Sequence, residues 1–185
     1  MLSREDRISR FNDLVGQYVP EEFTDWLLAK GFFTSPHGSK RYGYEGGLFD
    51  HSIQMINILI DLTNKNNLQW ARPESPLLIG MFHDLYKVDT RNRDGFNREN
   101  TNPLFKGLQG KSVLLLSSRM QMTDEENYSI RYHTGAFSDP KYWEEYTRAI
   151  RLYPNVLWAS HAHDLISYTT VSSKRRRTTH VLFEK

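Results

Sequence analysis

The sequence predicts an all-α, single-domain helical bundle. Apolar residues recur at three-to-four-residue spacing along most of the chain, as helices with one buried face require. Helix starts and stops punctuate that pattern: Pro20, Thr123-Asp124-Glu125-Glu126 and Asp139-Pro140 at beginnings, Gly31 and Gly135 at ends. The length, 185 residues, suits one domain with a core large enough to enclose a buried site. We take 1–185 as that domain, with an N-terminal helical pair over 1–32, a core over 33–172 and a basic tail over 173–185.

Residues 4–18 read as a first amphipathic helix, with Ile8, Phe11, Leu14, Val15 and Tyr18 on one side. Pro20 fits the first turn of a second, which carries Phe23, Trp26 and Leu27 and ends at Gly31. Residues 34–47 are too rich in Gly, Ser and Pro for a helix, and they bring Lys40, Arg41, Tyr42 and Tyr44 up to the next one. His37, in the same loop, is expected at the surface. A long helix then runs from Gly46-Gly47 to about Lys65, with Leu48, His51, Met55, Leu59 and Leu62 on one stripe.

Pro73 and Pro76 open the helix that holds Gly80 to Val88, and residues 88–103 look irregular, a short hairpin or substrate-facing flap turning at Asp94-Gly95. The run Gly107-Leu-Gln-Gly110-Lys111-Ser112 fails as a nucleotide phosphate loop, because Phe105 stands where a glycine is needed and no apolar strand precedes it. Lys111 and Ser112 are read instead as a helix start whose free amides can take an anion. The capping box at Thr123 begins a helix that delivers His133 at its end, and a further helix carries Trp143, Tyr146 and Ile150. In the closing apolar helix, Asp164 follows Leu157 and His161 on one side, while His163 projects about 100° away and is read as packed. The run Lys174-Arg175-Arg176-Arg177 reads as a solvated tail.

Chemistry concentrates where charge meets apolar helix. Leu77, Leu78, Met81, Phe82 and Leu85 surround His83-Asp84, and burying an ionised carboxylate there costs several kcal/mol unless it is paired or bound to metal. His51 and Asp164 repeat the anomaly on two other helices. A single divalent cation explains all three at once, since imidazole nitrogens and carboxylate oxygens suit such ions. With no cysteine in the chain, any metal must be held by nitrogen and oxygen, and no disulfide framework exists. No run of eighteen apolar residues occurs, so a cytoplasmic protein without a membrane partner is expected. A net charge of +2 is too small to argue for a nucleic-acid partner.

The order His51, His83-Asp84, Asp164 resembles the H…HD…D signature of the HD superfamily of metal-dependent phosphohydrolases. Residues 35–52, Ser-Pro-His-Gly-Ser-Lys-Arg-Tyr-Gly-Tyr-Glu-Gly-Gly-Leu-Phe-Asp-His-Ser, are similar to the run that precedes the first ligand in small bacterial and phage members. So are His83-Asp84-Leu85-x-Lys87, Gly110-Lys111-Ser112-Val113 and Arg131-Tyr132-His133-Thr134-Gly135. The resemblance spans roughly 33–172 and implies an HD-type bundle holding one divalent ion (manganese, cobalt, nickel, iron, zinc or magnesium) on His51, His83, Asp84 and Asp164. It implies hydrolysis of a small nucleotide, a deoxynucleoside mono- or triphosphate, through a metal-activated water. Asp84 is then the proton acceptor, Lys87 a catalytic cation, and Lys40, Arg41, Lys111, Ser112 and His133 the substrate-binding groups. Leu108 stands where related proteins often have a histidine, which counts against a second ion. The competing readings are cleavage of a cyclic nucleotide or single-stranded nucleic acid, and a metal-stabilised regulatory module without turnover. Homo-oligomerisation is left open.

Overall fold

The computed structural model describes residues 2–39, 41–90 and 108–175, without the side chains of 89–90, 108–109 and 167–175. Among the described residues every regular element is helical and no strand occurs, so the chain is an all-α bundle. Ser3 caps α1 (Arg4–Val15) through a reciprocal box with Asp6, and Gly31 closes α2 (Glu21–Lys30) at φ 75°. The expected first helix stops at Val15, and its last turn, Gly16–Tyr18, tightens to a 3-10 helix.

The first two helices contribute to the same core as the rest of the chain. Phe11 and Phe23 lie against Phe82, and Phe32 and Phe33 pack edge-on to each other and against Phe49. Arg7, nearly fully buried on α1, bonds the Glu45 carbonyl and pairs with Asp50 at 3.2 Å. That ion pair pins α1 to the start of α3 (Gly47–Asn66).

Two contacts place the site. α3 packs along α4 (Ser75–Phe82) with Gly80 against Ile56, where a Cβ on Gly80 would stand 2.6 Å from Ile56 Cγ1. Only the missing side chain lets the two backbones approach and bring His51 beside His83. Glu126, fully buried on α7 (Asp124–Arg131), bonds its own cap residue Thr123 and reaches back to the start of α4. It accepts from Arg72 Nε at 2.7 Å, Arg72 Nη2 at 2.8 Å and Ser75 Oγ at 2.8 Å. α9 (Asn155–Arg175), which follows α8 (Trp143–Leu152), lies across both α3 and α7.

Three expectations change here. The helix expected to run through 80–88 ends at Phe82, turns over 83–86 and resumes as α5 (Lys87–Thr90), because the Tyr86 amide donates to Ser112 Oγ rather than continuing the helical ladder. α6 (Leu108–Ser117) begins before Lys111, so Lys111 and Ser112 sit a turn inside it rather than at its amide-bearing end. Residues 88–90 of the expected flap belong to α5, and the rest of that flap lies outside the described residues, as does most of the basic tail beyond Arg175. Among the described residues no helix is long and apolar enough to cross a membrane.

Candidate metal centre

Asp84 is the hub. It is buried just past the end of α4, where its Oδ2 lies 3.5 Å from His51 Nε2 and 3.4 Å from His83 Nε2, and those two nitrogens are 3.0 Å apart. His37 Nε2 donates to the same oxygen at 2.8 Å and Lys87 Nζ at 2.6 Å. On the other side of the carboxylate, His133 Nε2 is 3.6 Å from Oδ1. Burial by itself would push the Asp84 carboxyl up; the Lys87 ammonium, together with His83 and the hydrogen bond from His37, outweighs it and holds the group well below the usual carboxylate range.

The imidazoles around it are oriented by their outer nitrogens. His83 Nδ1 donates to Gly80 O at 3.0 Å and His133 Nδ1 to Ile130 O at 2.7 Å, which turns the Nε2 of each ring toward Asp84. Burial, with neighbouring imidazoles, drives His51 and His133 well below the ordinary histidine range. His163 falls to about 4, from burial first and then His83. A carboxylate and several imidazole lone pairs therefore converge in one buried space, an arrangement that repels itself without a shared cation. Among the described residues, His51 Nδ1 is also buried with no hydrogen-bond partner.

The spacing fits a metal. Ligand atoms about 2.1 Å from a common ion stand about 3.0 Å apart along an octahedral edge and about 3.4 Å along a tetrahedral one. The triangle of His51 Nε2, His83 Nε2 and Asp84 Oδ2, with sides of 3.0, 3.4 and 3.5 Å, spans that range. His163 completes a group of four whose ligand atoms all lie within 4.8 Å of one another. The group opens on a cavity of about 320 Å³ that is also lined by His37, Arg41, Tyr42, Tyr86, Lys87 and His133.

Where the sequence reading expected Asp164 from α9, the group contains its neighbour His163. The closing helix buries the row Val156, Ala159, Ala162 and Ile166, and His163, four residues after Ala159 and three before Ile166, belongs to it. Leu157, which the sequence reading placed in line with Asp164, is 46% exposed. Asp164 lies outside the four-residue group, half-buried, its carboxyl pushed up by burial and drawn back by His161. His37 is the other reversal. The loop is pinned onto α3 by Gly46 N to Thr34 O at 2.9 Å and Leu48 N to Ser35 O at 3.0 Å, which buries His37 with its ring stacked on His51 at 3.8 Å. The signal for His163 was its place in the apolar row of its helix; for His37 it was a loop bracketed by buried Phe33 and Leu48.

Of the expected substrate groups, Arg41 and His133 line the cavity, and Arg41 lies over the Tyr42 ring at 5.2 Å. Ser112 is fully buried and committed to the Tyr86 amide, and neither it nor Lys111 is among the lining residues. Tyr44, from the same loop, donates to Asp50 at 2.9 Å. Lys40 lies outside the described residues.

Fold and site together define an all-α protein with a buried His/Asp cluster that can hold a metal ion. In comparisons with protein-family models, curated proteins and solved structures, nothing matches this chain.

The depressed imidazoles set an acid limit on the metal-free fold. Between pH 6.5 and about 4 the unfolded chain takes a proton on His163 that the folded one refuses, so stability rises with pH across that window. A displacement of that size is worth roughly 3 kcal/mol. Chelator-treated protein should therefore lose Tm steadily as pH drops from 6.5 to about 5, above the range in which ordinary carboxylates titrate. A flat Tm over that interval would show that these rings are not buried neutral.

Proposed function

We propose that this protein is an HD-type, metal-dependent phosphohydrolase acting on a small nucleotide. The observation that carries the reading is the His51, His83, Asp84 triangle opening on a cavity that also presents two cations, Lys87 and Arg41. A divalent ion bound there would supply Lewis acidity, lowering the pKa of a water and drawing charge from a phosphoryl group. His51 and His83 would hold that ion, with Asp84 as its anionic ligand. Kept ionised by Lys87, Asp84 is a weak base, so charge balance rather than proton acceptance is the role we give it. Lys87 and Arg41 would then offset the negative charge on the phosphoryl oxygens. A cavity of about 320 Å³ is at the small end for ligand sites, which favours a mononucleotide over a polymer.

A panel of nucleoside mono-, di- and triphosphates, offered with manganese, cobalt, nickel, zinc and magnesium in turn, tests this. Phosphate or pyrophosphate release with at least one pair is expected, and its loss in Lys87→Ala should exceed tenfold in kcat/KM. Release from none of them would sink the assignment.

A further inference from the structure

We infer that the ion this cluster selects is a nitrogen-loving one of the zinc, cobalt and nickel kind, held by three imidazoles and a single carboxylate, with His163 as the third imidazole. The inference rests on the metal-site part of the reading above and is independent of the reaction. Its basis is the donor set: His51, His83 and His163 with Asp84 are three nitrogens and one oxygen, carrying one negative charge rather than two. The carboxylate that would have evened the balance, Asp164, lies outside the group on the same helix. Magnesium and calcium select oxygen donors, whereas imidazole suits zinc, cobalt, nickel and iron. The outer hydrogen bond from His83 Nδ1 to Gly80 O makes its Nε2 a better donor still.

The geometry also ranks the ligands. The three edges between His51, His83 and Asp84 are already those of a coordination shell, while the ligand atom of His163 is held to the looser bound of the group, within 4.8 Å of the others. A fourth ligand that must draw in contributes less than one already in place.

Chelator-stripped full-length protein, titrated by calorimetry with magnesium, manganese, cobalt, nickel and zinc, gives the affinities. Imidazole ¹⁵N resonances recorded with and without zinc identify the ligating nitrogens. Zinc, cobalt and nickel should bind saturably while magnesium does not at about 10 mM, and the ring nitrogens of His51, His83 and His163 should shift on zinc addition. His163→Ala should weaken zinc binding about 10- to 100-fold, and Asp164→Asn should leave it unchanged. His163→Gln, compared by the metal-free melting curve, separates a lost ligand from a damaged fold. Saturable magnesium binding as tight as that of zinc, an unmoved His163 ring, or loss of affinity in Asp164→Asn in place of His163→Ala would each overturn the inference. Tight zinc binding without turnover on any nucleotide would leave it standing and overturn the hydrolase reading instead.

Discussion

Asp84→Asn is expected to abolish both zinc binding and phosphate release, with the affinity falling by more than about 100-fold. The amide keeps the shape of the carboxylate but carries no charge, and this one oxygen is where His37, Lys87, His51 and His83 all converge. Stability should fall as well. Asp84 is 2% exposed and its ion pair with Lys87 is largely shielded from water, and removing one partner of such a pair costs about 3–5 kcal/mol. For a chain of this size that corresponds to a Tm lower by roughly 10 °C in the metal-free form. Calorimetry with zinc beside thermal melts of stripped protein reads both effects. Wild-type metal stoichiometry in the variant would mean that the carboxylate is only a structural counter-ion to Lys87.

The second large effect is expected far from any ligand, at Glu126→Ala. Both carboxylate oxygens are used: Oε1 takes Arg72 Nε and Ser75 Oγ, Oε2 takes Arg72 Nη2 and the Thr123 amide. Truncation removes the Glu126 half of the α7 capping box, Thr123 still accepting from the amide of residue 126, and takes from the part-exposed Arg72 guanidinium its bidentate partner while Glu74 stays at 3.6 Å, a loss of about 2 kcal/mol. Because α7 leads into the turn that holds His133 and the start of α4 leads to His83, the damage should reach the site: zinc affinity should drop several-fold although no ligand has changed. Denaturant unfolding and zinc calorimetry on the same preparation test this. A loss under about 1 kcal/mol would reduce Glu126 to an ordinary helix cap.

That residue marks how far the sequence could be read. The Thr123 to Glu126 box is legible because a cap is a contact within one turn, and the box forms as expected. Its second attachment, to a helix fifty residues earlier, has no local trace. His51 and His83-Asp84 were legible for a related reason: each interrupts its own apolar stretch, so the anomaly is visible before any neighbour is known. His37 was not, because the burial of a loop histidine depends on what the loop is folded against, here the ring of His51. The choice between His163 and Asp164 turned on a rotation of about 100°, and the outward-facing stripe through Leu157 was taken for the inward one.

The chain's own periodicity, caps and absent cysteines therefore determine the helical class, capped ends such as those at Thr123 and Gly31, and a nitrogen and oxygen chemistry for any metal. Those are properties of segments a few turns long. Which imidazoles share the space beside Asp84 was settled by the packing of α3 against α4 through Gly80 and by the face that α9 turns toward α3 and α7. Ångström-scale convergence of His51, His83-Asp84 and His163 from three separate segments is a property of the assembled core, and no single stretch of sequence contains it.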